Sequence, residues 1–344
     1  MGRIREHKKG SIRSPNQPRP PASSARNTLF IRNHRQALPR FALLCTLLFL
    51  TACDSQEPPT VQLQSGPAQP ISSAAVLPNE VRIGMGAMIT PKTGFIYYHQ
   101  MELYIEAKLG RPVKLVDRGS YEEINRLLET DGVDIAFVCA GPYVEGHDKF
   151  GMELLAMPLV AGKPHYYSYI IVPKDSPARS LDDLRGKNFA FTDPKSNSGK
   201  LVPTYLLAQK KSTPDTFFKS YVYTYGHDKS IKAVANHLVD GAAVDSLIWD
   251  YLNRTEPALT AETKIIQKSF PCGIPPIVAR PNLPAKLKKE LEAIFLHMHE
   301  DERGAAILKG MMIDRFVEGD PRNYDSIRDM LTATRQTETL DSSK

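Results

Sequence analysis

Three short stretches hold the residue types that could do chemistry. The first is Ser196-Asn197-Ser198-Gly199, inside the polar segment DPKSNSGK. It sits between an apolar run ending at Thr192 and a helical pattern that starts at Gly199. A helix start leaves up to four backbone N–H groups without partners and carries roughly half a positive charge. Small hydroxyl side chains there let an anion approach and add donors of their own. The same residues also serve as plain N-caps, and the GxxxxGK[ST] spacing of a P-loop is absent. The second stretch is Gly226-His227-Asp228. It leads an amphipathic pattern in which Ile231, Val234, Ala235 and Leu238 share one face. His227 there is either a surface or capping histidine or a donor at a helix start. In the third, Asp245 ends a short apolar strand. α/β folds place ligand-binding residues at that position, although an Asp there also caps the next helix. Ser196 or Ser198, His227 and Asp245 are the types of a hydrolytic triad. No GxSxG elbow accompanies them, and serines on a polar loop suit hydrogen bonding better than nucleophilic attack.

Alternating strands and helices must position these stretches. Residues 81–87 and 112–117 read as strands, and 94–109 and 121–129 as helices, the first stopping at Gly110. Residues 133–139 (VDIAFVC) form an apolar run bounded by turn residues, as in a buried parallel strand. Residues 154–160 and 166–172 are strand-like again, and a short segment, residues 181–184, follows Pro173. A second alternation then places strands at 189–192, 221–225 and 242–244 and helices at 199–210, 228–239 and 246–253. Residues 264–268 and 276–279 look extended, and helices at 284–299 and 324–334 end the pattern. The fold class is α/β. Two such units suggest two lobes that close about a hinge on a ligand between them. Lobe 1 is expected from residues 81–170 and 270–340, and lobe 2 from 171–269.

The net charge of +6 points to nucleic acid or an acidic membrane until the charges are located. Residues 41–50 (FALLCTLLFL) are apolar, preceded by Arg32, Arg35 and Arg40. Ten residues are too few to span a bilayer, which takes about 20, and the pattern is that of a secretory signal. It ends in Leu50-Thr51-Ala52-Cys53, which resembles a bacterial lipobox. That resemblance implies lipidation of Cys53 and a signal peptide over residues 1–52 with a long n-region. Removing its ten Lys and Arg and one acid leaves 34 basic and 37 acidic residues, a net charge of −3. Nucleic-acid binding then loses its electrostatic support. Asp54 resembles an inner-membrane retention signal of some lineages. Residues 53–80, rich in Pro, Gln and Ser, read as a flexible tether. Export permits a disulfide between Cys139 and Cys272, and two buried thiols are the alternative. No CxxC or Cys/His cluster suggests a metal.

Taken together, the three stretches resemble motifs of the phosphate/phosphite/phosphonate-binding proteins. Ala136-Phe137-Val138-Cys139-Ala140-Gly141-Pro142-Tyr143 and Gly273-Ile274-Pro275-Pro276 add to the likeness, which covers roughly residues 81–335. Those proteins are substrate-binding components of ABC importers. The resemblance implies a two-lobed type II periplasmic-binding-protein fold, no enzymatic activity and no cofactor. Its implied partners are an ABC permease and ATPase and a small phosphorus oxyanion, with a lipid anchor to the membrane and a site facing the periplasm or exterior. It further implies that Ser196, Asn197, Ser198 and the backbone at Gly199 hold the oxyanion and that His227 donates to an oxygen. Tyr121 and Tyr143 resemble the cleft tyrosines of the first lobe, and Thr90 with Pro91 would line the cleft. Asp245, as a carboxylate, would accept a hydrogen from a protonated phosphite or phosphonate. It would reject sulfate, which has none, at a cost of a few kcal/mol. Members that take aminoalkyl phosphonates hold the amine with further carboxylates; here the corresponding positions fall near Leu247 and Pro275, which cannot pair an ammonium. A small oxyanion or uncharged alkyl phosphonate is therefore expected. The competing class is a sensory module, in which the same fold binds an anion and reports to a membrane signalling partner.

Overall fold

The computed structural model of the chain describes residues 79–86 and 94–342. The leader, Cys53, the tether up to residue 78, Thr90 and Pro91 lie outside the described residues. Strand β1 (Val81–Met85) runs parallel to β2 (Val113–Asp117) and to β3 (Ile135–Phe137). Helices α1 (Gly94–Leu109) and α2 (Tyr121–Glu129) make the connections. Their ends follow local chemistry. α1 stops at Gly110, whose φ of +65° belongs to the left-handed region that glycine enters freely. α2 starts on a capping box: Ser120 Oγ accepts from the Glu123 N–H, and the Glu123 carboxylate accepts from the Ser120 N–H. Next come α3 (Ala140–Phe150) and β4 (Glu153–Leu159). The sequence pattern gives no helix at α3, because two glycines and a proline lower its propensity. Burial of Tyr143 and Val144 forms it nonetheless, and Pro142 sits in the first turn, where no hydrogen bond is lost.

The chain then enters a second sheet through β5 (His165–Tyr166) and β6 (Ser168–Pro173). Strand β7 (Asn188–Phe191), helices α4 (Val202–Ala208) and α5 (Pro214–Phe217), and β8 (Ser220–Tyr223) follow. After them come α6 (His227–Ala235), β9 (Gly241–Asp245), α7 (Ser246–Thr255), α8 (Pro257–Thr260) and β10 (Thr263–Lys268). The return runs through β11 (Cys272–Gly273), β12 (Ile277–Ala279), α9 (Ala285–Leu296), α10 (Glu302–Gly310), β13 (Arg315–Val317) and α11 (Asp325–Ser342).

The first sheet has the order β13-β4-β12-β3-β1-β2 and the second β10-β6-β9-β7-β8. Each holds three parallel strands beside an antiparallel one, β12 or β6, that comes in from the connection between lobes. β6, the antiparallel strand of the second sheet, begins at Ser168. β5 and β11 pair with each other, Cys272 opposite Tyr166, which sets the two connections side by side. The central strands of both sheets are buried on both faces. Along β7, Phe189 and Phe191 pack into one cluster and Ala190 into another. Along β3, Ile135 and Phe137 face the cluster under α9, and Ala136 faces that under α3. Covered faces require such apolar runs. The residues that could do chemistry follow the carboxyl ends of β7, β8 and β9, where α/β sheets bind ligands.

Candidate functional site

Beyond Phe191 the chain turns at Thr192 and Asp193, both buried. The expected helix does not begin at Gly199. A wider turn over Asn197–Leu201 comes first, closed by Val202 N–H on the Asn197 carbonyl, and the α-helix begins at Val202. Such π-type turns often mark functional sites. Ser196 caps it, its Oγ accepting the Gly199 N–H at 3.0 Å. Gly199 has no room for a side chain: a Cβ would lie 2.5 Å from Thr192 Oγ1 and 2.6 Å from Thr192 Cβ. Ser198 Oγ is fully buried and has no partner, while the Ser198 carbonyl accepts from Ser168 Oγ at 2.6 Å. Ser168 in turn lies opposite Asp245 in the β6–β9 ladder. A buried hydroxyl without a partner costs about 1–3 kcal/mol, a cost that a bound acceptor would remove.

His227, 1% exposed, opens α6. Its Nδ1 accepts the Asp245 backbone N–H at 3.0 Å and lies 3.0 Å from Thr192 Oγ1. An Nδ1 that accepts from an amide leaves the ring proton on Nε2. Nε2 faces the Tyr121 hydroxyl at 3.5 Å. Burial lowers the His227 pKa to about 3, so the ring is a neutral donor at every physiological pH.

Asp245 is 2% exposed and caps α7, its Oδ1 accepting the Leu247 N–H at 2.7 Å. Burial pushes its carboxyl up to about 8. At neutral pH it is therefore mostly a neutral acid able to donate, whereas the sequence reading treats it as a charged acceptor.

The two lobes meet across this loop. The Tyr121 N–H at the start of α2 donates to Asp193 Oδ2 at 3.2 Å. Lys195 Nζ reaches Glu145 Oε2 at 3.0 Å and Glu122 Oε2 at 3.5 Å. Gly141 at the start of α3 lies so close that a Cβ there would be 3.0 Å from the Lys195 carbonyl oxygen. The structure is thus closed over the loop that follows β7.

Ser196, Ser198, Gly199, His227, Asp245 and Tyr121 gather around Thr192 and Ser168. The Asn197 Nδ2 donates to the Tyr166 hydroxyl at 3.0 Å, while its Oδ1 is buried without a partner. Tyr143 is elsewhere. Its ring packs 4.6 Å from Tyr324 and 5.8 Å from His147, between α3 and α11; the cleft role expected for it does not match this placement. Thr90 is outside the described residues. Thr192, Asp193 and Tyr166 escaped the sequence reading, although the first two adjoin the quoted loop. Cys139 and Cys272 are free, buried thiols, both pushed up to about 11 by burial. Among the described residues no group of three His, Cys, Asp or Glu could hold a metal, and no helix is long and apolar enough to cross a membrane.

Comparison with known proteins identifies the family of the chain. The phosphonates-binding periplasmic protein of Escherichia coli K12 is 33% identical over 210 residues, 60% of this chain and 62% of that protein. The phosphate-import protein PhnD of Mycolicibacterium smegmatis is 29% identical over 220 residues, 60% of this chain and 65% of that one. The match thus spans just under two thirds of either relative. A solved binding component of an ABC phosphonate transporter from Pseudomonas aeruginosa superposes with a TM-score of 0.72 at 26% identity, covering 76% of this chain and 88% of that one. PhnD1 from Prochlorococcus marinus, solved with methylphosphonate, has a TM-score of 0.67 at 18% identity over 73% of this chain and 96% of its own, a likeness of fold. Residues 84–324 match the family described as the periplasmic phosphonate substrate-binding protein of ABC transporters, a non-enzymatic role. The chain is a two-lobed type II periplasmic binding protein and belongs to that family.

Proposed function

We propose that the chain captures a small phosphorus oxyanion, whether phosphate, phosphite or a simple phosphonate, between its lobes. It delivers that anion to the permease and ATPase of an ABC importer while anchored to the membrane through lipid on Cys53. The observation that carries the capture is the buried Ser198 hydroxyl without a partner. A second donor is the His227 imidazole, its proton held on Nε2 and facing the Tyr121 hydroxyl. Both lie where the chain enters a helix after the neighbouring strands β7 and β8, an arrangement suited to a tetrahedral anion. The neutral Asp245 adds one donor, so one proton is shared between carboxyl and ligand whichever of them brings it.

Calorimetric titration of the full-length protein with phosphate, phosphite, hypophosphite, methylphosphonate, 2-aminoethylphosphonate and sulfate tests capture. Micromolar or tighter binding of at least one phosphorus anion is expected, and silence across the phosphorus compounds refutes the reading. Growth on the tightest ligand as sole phosphorus source, with and without Cys53→Ala, tests delivery and anchoring.

A further inference from the structure

We propose that the preferred ligands are phosphonates whose carbon substituent is apolar and larger than methyl, with the substituent seated in an apolar chamber between the lobes next to Asp245. This deepens the oxyanion reading above and rests on it. The chamber has a volume of about 230 Å³. Tyr98 of α1, Phe137 at the end of β3 and Ile277 of β12 line one side. Ile248 and Tyr251 of α7 line the other, and Asp245, whose backbone N–H donates to His227, lines the chamber as well. An empty apolar cavity of about 150 Å³ accepts benzene, so this one has room for a butyl or phenyl group.

The walls also decide against an ammonium. Leu247 and Pro275 line the chamber, and neither can accept a hydrogen bond from a cation through its side chain. Of the two acids among the described lining residues, Asp245 caps α7 through the Leu247 N–H, and Asp250 is exposed and pairs with the Tyr169 hydroxyl. A two-carbon arm would carry its ammonium into mostly apolar walls, where Asp245 and Asp250 are the carboxyls among the described lining residues, and desolvating a charge is unfavourable unless it is closely paired. A chain of methylenes would instead gain from leaving water. Each buried CH2 contributes about 0.8 kcal/mol, or about fourfold in affinity.

Titrating the full-length protein with phosphate, methyl-, ethyl-, propyl-, butyl- and phenylphosphonate, and with 2-aminoethylphosphonate, reads this directly. Affinity should rise about fourfold per methylene from methyl to butyl. Propylphosphonate should bind at least tenfold tighter than 2-aminoethylphosphonate, which has the same shape. Leu247→Asp keeps the backbone N–H that Asp245 accepts and should flatten the rise with chain length while reversing the propyl/aminoethyl preference. A flat or falling series in the unaltered protein, or tighter binding of the aminoethyl compound, overturns the proposal even if phosphate and methylphosphonate bind well. If none of the phosphorus compounds binds, the oxyanion reading itself has failed and takes this inference with it. A variant that folds and binds phosphate but retains the full chain-length dependence would place the substituent elsewhere and overturn the proposal too.

Discussion

Replacing Asp245 by Asn tests the electrostatics of the site without a ligand. The folded carboxyl titrates at about 8 against an ordinary value of 3.8. Folding therefore takes up a proton at every pH between those values, because the unfolded chain has already released it. Stability is fully present below about pH 4 and falls as pH rises toward 8. Each pH unit in that window is worth about 1.4 kcal/mol, so the loss reaches about 4 kcal/mol at pH 7. That is an upper bound, since water entering the cleft would relieve part of it, yet it is large against a total of about 5–15 kcal/mol. The substituted amide keeps an oxygen for the Leu247 N–H and has no proton to lose. Urea unfolding of both proteins at pH 5, 6, 7 and 8 should show the Asp245→Asn variant gaining on the parent by roughly 1 kcal/mol per pH unit. A difference that stays constant from pH 5 to 8 would mean that Asp245 is ionised in the free protein, and the argument for a donating acid would fall.

Ser198→Ala should weaken oxyanion binding about tenfold or more, as expected for a lost hydrogen bond to a charged group. It should leave stability unchanged or slightly higher, because Ser198 Oγ has no partner to lose. His227→Ala should cost roughly 10- to 100-fold in affinity, and in the unaltered protein affinity should not depend on this ring between pH 5 and 8, since it titrates at about 3; isothermal calorimetry across pH reads both. Gly199→Ala should destabilise the fold by about 1–3 kcal/mol in urea titration, because a Cβ would meet Thr192 at 2.5 Å. Any affinity for sulfate should fall relative to phosphate as pH rises past about 8, when Asp245 ionises and only phosphate still carries a hydrogen to give it; competition calorimetry from pH 6 to 9 reads the ratio.

Much of this molecule is legible in the order of its residues. Local rules, a capping box at Ser120 and a glycine stop at Gly110, bound α1 and α2. Apolar runs that alternate between two buried faces locate the central strands. Motif order carries the likeness to a family, and the types Ser, His and Asp after three strands mark the candidate site. What the sequence could not decide depends on burial and on partners far along the chain. The helix at α3 exists because a core covers it, against the propensity of its glycines and proline. Asn197 faces Tyr166, and Tyr143 packs on Tyr324, because side-chain direction follows from neighbours 31 and 181 positions away. The charge on Asp245 is likewise a property of the closed fold. A carboxyl in water is an anion at pH 7, and only enclosure between two lobes makes it an acid that can donate.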